Sequence, residues 1–203
     1  AEGKPDRAKA SEAAIDLAVR REETQEPGAK KLLADAGYPN GVEFTLDCPN
    51  NRYVNDEEVC QAVVNMWAKI GVKAKLNAIN FGPFIAKVQN FDTSAYLLGW
   101  GVATYDAQYS LQSLVMTRTQ GADGSFNFSK ISNARVDTLV EAMKTELDKN
   151  KRDGMIKEAL TITRDEMLYI PLHHQMRPWA MKKNVTMTHD SNDAPKMKWV
   201  TVN

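Results

Sequence analysis

Val42-Glu43-Phe44-Thr45-Leu46-Asp47 is the stretch on which the fold turns. Val42, Phe44 and Leu46 alternate with Glu43, Thr45 and Asp47, which places them on opposite faces of a β-strand, one buried and one wet. Downstream the period lengthens. Val59, Val63, Met66, Trp67 and Ile70 recur at three- and four-residue spacing, predicting a helix with one apolar stripe that Gly71 ends. Val72, Ala74, Leu76 and Ala78 then alternate with Lys73, Lys75 and Asn77 as a second strand. After Gly82-Pro83, the residues Phe84, Ile85 and Val88 mark a short helix. Ala95 to Trp100 is a nearly continuous apolar run suited to a strand covered on both faces. Strand, helix, strand, helix, strand, with connections this long, predicts an α/β fold with a βαβαβ parallel core and right-handed crossovers.

Working outward, residues 1–26 are rich in Ala, Glu, Lys and Arg, with Ile15, Leu17 and Val19 as their large apolar residues, and read as a marginal helix or an arm. Pro27-Gly28 interrupts that pattern, giving an N-terminal segment of residues 1–28. Ala29 to Ala36 reads as a short helix stopped by Gly37, and Tyr38-Pro39-Asn40-Gly41 as a turn. On the other side, Asp123-Gly124-Ser125-Phe126-Asn127 is turn chemistry. Val136, Leu139, Val140, Met143 and Leu147 predict one amphipathic helix; Met155, Ile156, Ala159, Leu160, Thr163 and Met167 predict another. Tyr169-Ile170-Pro171-Leu172 reads as extended, with Pro171 at an edge or a crossing between units. From Gln175 to Asn203 the pattern is weakly strand-like.

Composition narrows the function. The 203 residues, 43% hydrophobic and 26% charged, suffice for one sizeable core with appendages. Lys plus Arg and Asp plus Glu are 26 each, so the basic footprint of a nucleic-acid binder is missing. No run approaches the roughly 20 apolar residues that span a bilayer, and the first residues hold no signal-peptide core. Cys48 and Cys60 stand twelve positions apart. That spacing admits a disulfide contributing about 3 kcal/mol in an oxidising compartment, and equally two reduced, half-buried thiols. Neither cysteine sits at zinc spacing, and His173 and His174, neighbours in an extended segment, point to opposite faces, so no metal is expected. No cofactor is implied. The chain has no Gly-x-Ser-x-Gly elbow, no phosphate-binding glycine loop and no Cys with a plausible His partner, which argues against an enzyme. A hydrolase is the weaker reading.

In open α/β sheets, ligands bind beyond the carboxyl ends of the strands. The third strand therefore delivers Trp100 to Tyr109, expected as a flexible aromatic and polar loop, to the binding edge. Trp100 reads either as a core residue at a strand end or as an aromatic wall for a ligand. Asp106 reads as a ligand contact or as a capping Asp, with Thr104, Tyr105, Tyr109 and Asn127 as further candidates. Arg118 could grip a ligand carboxylate or stand as a solvated loop arginine.

Leu32-Leu33-Ala34-Asp35-Ala36-Gly37-Tyr38-Pro39-Asn40-Gly41, Trp67-Ala68-Lys69-Ile70-Gly71-Val72, and Phe91-Asp92 before Leu98-Gly99-Trp100 carry a resemblance. Asn127, Asn133 with Asp137, Asp148-Lys149-Asn150-Lys151-Arg152, and Ile170-Pro171-Leu172 ahead of Lys182-Lys183-Asn184-Val185 continue it in order. From about Ala29 onward the chain resembles the C-terminal lobe of the extracytoplasmic solute-binding proteins, family 5, of dipeptide and oligopeptide ABC importers. The resemblance implies a type II periplasmic-binding-protein lobe over residues 29–174, followed by a return segment, 175–203, running to an N-terminal lobe absent from these residues. It also implies a short-peptide or other small polar ligand held between two lobes, a membrane permease as partner, and a periplasmic or extracytoplasmic location. Peptide-binding relatives often carry an Asp three positions after the Trp to pair with the peptide ammonium; here that residue is Ala103, and Asp106 matches the second acidic position. The family also includes binders of nickel chelates, haem, sugars and opines. The alternative is a free-standing interaction domain, in which an exposed lobe face drives formation of a homodimer.

Overall fold

Alternating sequence becomes two eight-residue strands, β1 (Val42–Pro49) and β2 (Val72–Ile79), paired in parallel from Val42 opposite Val72 to Pro49 opposite Ile79. The computed structural model describes residues 26–102, 104–175, 179–188 and 196–202. A two-residue strand, β3 (Ala95–Tyr96), pairs in parallel with the other edge of β1, giving the order β2-β1-β3. The apolar run predicts a third strand as far as Trp100. In the structure it stops at Tyr96, although the Leu97 N–H still donates to the Asp47 carbonyl at 3.1 Å. Gly99 and Gly101, which bring no side chain to pack on a sheet, flank Trp100 and disfavour continued pairing.

The chain divides into two compact units, Ala1–Lys87 with Asp92–Leu97, and Val88–Phe91 with Leu98–Asn203. In the first, helix α1 (residues 26–35) takes in Pro27 and Gly28 rather than being interrupted by them. The helix closes on Gly37 (φ 91°), with Tyr38 N–H donating to Leu33 O and Gly37 N–H to Ala34 O, the paired bonds of a left-handed helix end. Gly41 (φ 84°) starts β1 so close to Gly71 that a Cβ on it would lie 1.9 Å from the Gly71 carbonyl oxygen. Helix α2 (Asp56–Lys69) packs on the sheet, burying Leu46, Cys48 and Cys60 with Val63, Val64, Trp67 and Leu76, and Cys48 and Cys60 are disulfide-bonded. Met66, expected on that stripe, is 49% exposed, and Val64 packs there instead. Asp47, expected on a wet face, is fully buried, because polar partners inside the unit replace its water. Helix α3 is Phe81–Gln89.

The second unit holds helices α4 (Ala107–Ser110), α5 (Ala134–Met143) and α6 (Lys149–Asp165), with a wider π-turn over Leu111–Val115. Its core is Leu111, Val115, Met116, Val136, Leu139, Val140, Met143 and Ala159. Asn133 and Asp148 cap α5 and α6 with their side chains. Because α5 ends at Met143, Leu147 falls outside it and is 96% exposed. Leu160 and Met167, also expected as core cover, are exposed. In the C-terminal segment, β4 (Val185–Met187) and β5 (Val200–Val202) form an antiparallel pair. No helix among the described residues is long and apolar enough to cross a membrane.

Candidate functional site

The segment from Trp100 to Tyr109, a loop by its sequence pattern, turns helical at Ala107. Asp106 makes the difference: its carboxylate accepts the Gln108 N–H at 2.8 Å and so caps α4. Residues 107–115 contain neither Gly nor Pro, and Leu111 and Val115 turn inward to the core.

Helix α4 in turn seats the tryptophan. The Trp100 indole N–H donates to the Ser110 hydroxyl at 3.2 Å, and its ring stacks on Tyr109 with centroids 5.5 Å apart. Phe126 meets the same ring edge-on at 5.0 Å, and Phe128 continues the group at 5.8 Å from Phe126. The outcome is an aromatic cluster in which the indole N–H is already satisfied, leaving the Trp100 ring to offer apolar surface.

Charge at the site is compensated internally. Arg152, from the first turn of α6, grips Asp106 bidentately, with Nη1–Oδ2 at 2.8 Å and Nη2–Oδ1 at 2.9 Å. The Arg152 guanidinium, with the Gln108 N–H, outweighs partial burial and holds the Asp106 carboxyl below the usual carboxylate range. Between Trp100 and Asp106, Thr104 is exposed, its hydroxyl accepting the Asp106 N–H at 3.4 Å. Tyr105 is 60% exposed at φ 57°, a left-handed conformation costly for a bulky residue. Ala103 lies outside the described residues.

Of the remaining candidates, Asn127 lies inside the unit and Arg118 at the edge of the aromatic group. Asn127 is fully buried, its amide donating to the Met116 and Ile131 carbonyls and its oxygen accepting the Ile131 N–H. It organises the 116–131 loop from within. Arg118 donates to the Ser125 carbonyl and lies over the Phe91 and Phe128 rings at 5.6 and 5.7 Å. His173 and His174 are both exposed, and no three-residue metal-ligating group occurs among the described residues. Sequence reasoning missed Arg152, Ser110 and Phe126. The signal for α4 was present in Asp106 followed by an uninterrupted helical run; nothing local ties Asp106 to a residue 46 positions away.

A parallel sheet in the order β2-β1-β3 with crossover helices is an α/β fold of the type II periplasmic-binding-protein kind. Residues 9–122 match the family model for bacterial extracellular solute-binding proteins, family 5 middle region. The chain is 32% identical over 170 residues to di/tripeptide-binding protein 1 of Pseudomonas aeruginosa, covering 82% of this chain and 30% of that protein. It is 32% identical over 164 residues to the glutathione-binding protein GsiB of Salmonella typhimurium, covering 78% of this chain and 31% of the relative. Its fold superposes with a TM-score of 0.73, at 21% identity, on the dipeptide-binding protein of Pseudoalteromonas sp. SM9913 in complex with Met-Leu, covering 86% of this chain and 35% of that one. The chain belongs to the family 5 bacterial extracellular solute-binding proteins, a family of ABC-importer binding components rather than enzymes. It spans just under a third of the length of these curated relatives.

Proposed function

We propose that this chain is the C-terminal ligand-binding lobe of a two-lobed extracytoplasmic binding protein that captures a short peptide or similar small polar solute between its lobes and delivers it to an ABC permease. In this reading residues 29–174 belong to that lobe and 175–203 to a segment returning to the N-terminal lobe. Relatives named for di- and tripeptides and for glutathione support the substrate class.

The observation that carries the reading is the aromatic cluster: the Trp100 ring stacks on Tyr109 with its indole N–H already bonded to Ser110, so an apolar face is held in place in the same segment as the exposed Tyr105. Trp100 and Tyr109 form the aromatic wall; Thr104, Tyr105 and Asp106 supply the polar rim, while Arg118 and Asn127 stabilise the neighbouring loop and touch ligand least. Because Arg152 already compensates Asp106, a ligand ammonium draws less on this carboxylate than on a free one. Isothermal titration of the intact protein with Met-Leu and with glutathione tests the reading: binding by the parent, and loss in Trp100→Ala and Tyr105→Ala with melting temperatures retained. Unchanged affinity in both variants contradicts it.

A further inference from the structure

We propose that Arg152 is a positioning residue for the Trp100 ring, acting through Asp106 and helix α4. The proposal deepens the ligand-loop reading, but its first readout needs no ligand.

Two partners of Trp100, Tyr109 and Ser110, belong to a four-residue helix. Helices this short have no intrinsic stability, since one turn fixes several dihedrals for a single hydrogen bond. Leu111 and Val115 anchor the far end of the run in the core, so the α4 cap, Asp106, is the point at which its free first turn can be held, and Arg152 holds it with both terminal nitrogens. The third guanidinium nitrogen, Nε, donates to the Met143 carbonyl at 3.3 Å, at the last residue of α5. One side chain on α6 thus references the α4 cap to the end of α5, whose residues belong to the same core as the turn that continues α4. The planar fork is essential to this arrangement: a lysine ammonium could neutralise Asp106 but could not fix its orientation and reach Met143 together.

The consequence is a division of labour at Asp106. Its backbone-capping function survives in Asp106→Asn, because Asn is an equally good cap, while the bidentate pair with Arg152 does not. If the pair sets the ring, Arg152→Met, Arg152→Lys and Asp106→Asn all displace Trp100, and the Arg152→Met/Asp106→Asn double variant adds little to either.

The test is ¹⁹F NMR of the intact protein carrying 5-fluorotryptophan, with the Trp100 resonance assigned by its loss in Trp100→Phe and Trp67, in the other unit, as the internal control. The expected result is a shifted or broadened Trp100 signal in each single variant, an unmoved Trp67 signal, and about tenfold weaker binding of Met-Leu. A merely structural ion pair would leave the Trp100 signal in place, and that result overturns the proposal. Should Arg152→Met fail to fold, Asp106→Asn decides alone, because it keeps the cap: Trp100 moved supports the proposal, Trp100 unmoved overturns it. A moved Trp100 with unchanged Met-Leu affinity supports the positioning and overturns instead the reading of Trp100 as a ligand contact.

Discussion

The carboxylate of Asp47, fully buried toward the carboxyl end of β1, is closed by the Lys87 ammonium of α3 at 2.9 Å. Asn77 of β2 donates to its other oxygen at 2.6 Å, while the Thr93 hydroxyl nearby donates to the Ala95 carbonyl at 3.0 Å. Burial alone would push the Asp47 carboxyl up, but Asn77 and Lys87, with the Thr93 hydroxyl close by, outweigh it and hold the group below its ordinary value. Asp47 and Lys87 together fasten the central strand to β2, to α3 and, through the pairing of Lys87 with Asp92, to the segment that enters β3.

Removing that carboxylate strands its partners. Asp47→Ala leaves Lys87 and Asn77 without their acceptor and is expected to cost about 3 kcal/mol, the low end for breaking a buried pair because Lys87 keeps some contact with water. Urea unfolding followed by circular dichroism measures it. A loss under about 1 kcal/mol would mean that solvent reaches the cluster.

Acid should act through the same groups. Asp47 and Asp106 both have folded-state values below the ordinary 3.8, so the unfolded chain binds protons more readily than the folded one. Their contribution is fully present above that value and is lost as pH falls through the lower folded-state values. The melting temperature is expected to stay flat from neutral pH to about 5 and to fall below about 4, with a shallower acid limb in Asp47→Asn. An acid limb identical in the parent and in that variant would contradict the assignment.

Much of this was legible in the sequence. Alternation at 42–47 and 72–78 marked both long strands, because a single apolar face leaves a period-two trace. Gly37 and Gly71 marked helix ends for a steric reason that is equally local. The failures are physical. Asp47 and Leu46 look like opposite faces, yet both are buried, since a charge paired with Lys87 and Asn77 can enter a core that a pattern reading reserves for apolar groups. The short β3 and the helical turn at Ala107 depend on tertiary contacts, and Arg152 is linked to Asp106 only through the packing of α6.

Backbone geometry supplies a sharp contrast between two glycines. Gly41→Ala places a Cβ 1.9 Å from the rigid Gly71 carbonyl at a positive φ and is expected to destabilise by more than about 2 kcal/mol. Gly154→Ala, in α6 with open space around the new methyl, should instead stabilise by about 0.5–1 kcal/mol. Thermal melts of the two variants check both signs.

Tyr105 offers a trade between stability and binding. Tyr105→Gly removes the strain at φ 57°, offset in part by the glycine's greater freedom when unfolded, and should leave the melting temperature equal or higher. Affinity for Met-Leu should fall at the same time. A destabilised Tyr105→Gly with full affinity would show that the tyrosine serves packing rather than ligand.

Native mass spectrometry of the intact protein, as parent and as Trp100→Ala, reads a bound solute by its own mass. The parent is expected to carry a small-molecule adduct, and a folded Trp100→Ala to have lost it. The same adduct on both proteins, or a parent that instead appears as a ligand-free dimer, would contradict the claim that the segment around Trp100 holds a solute.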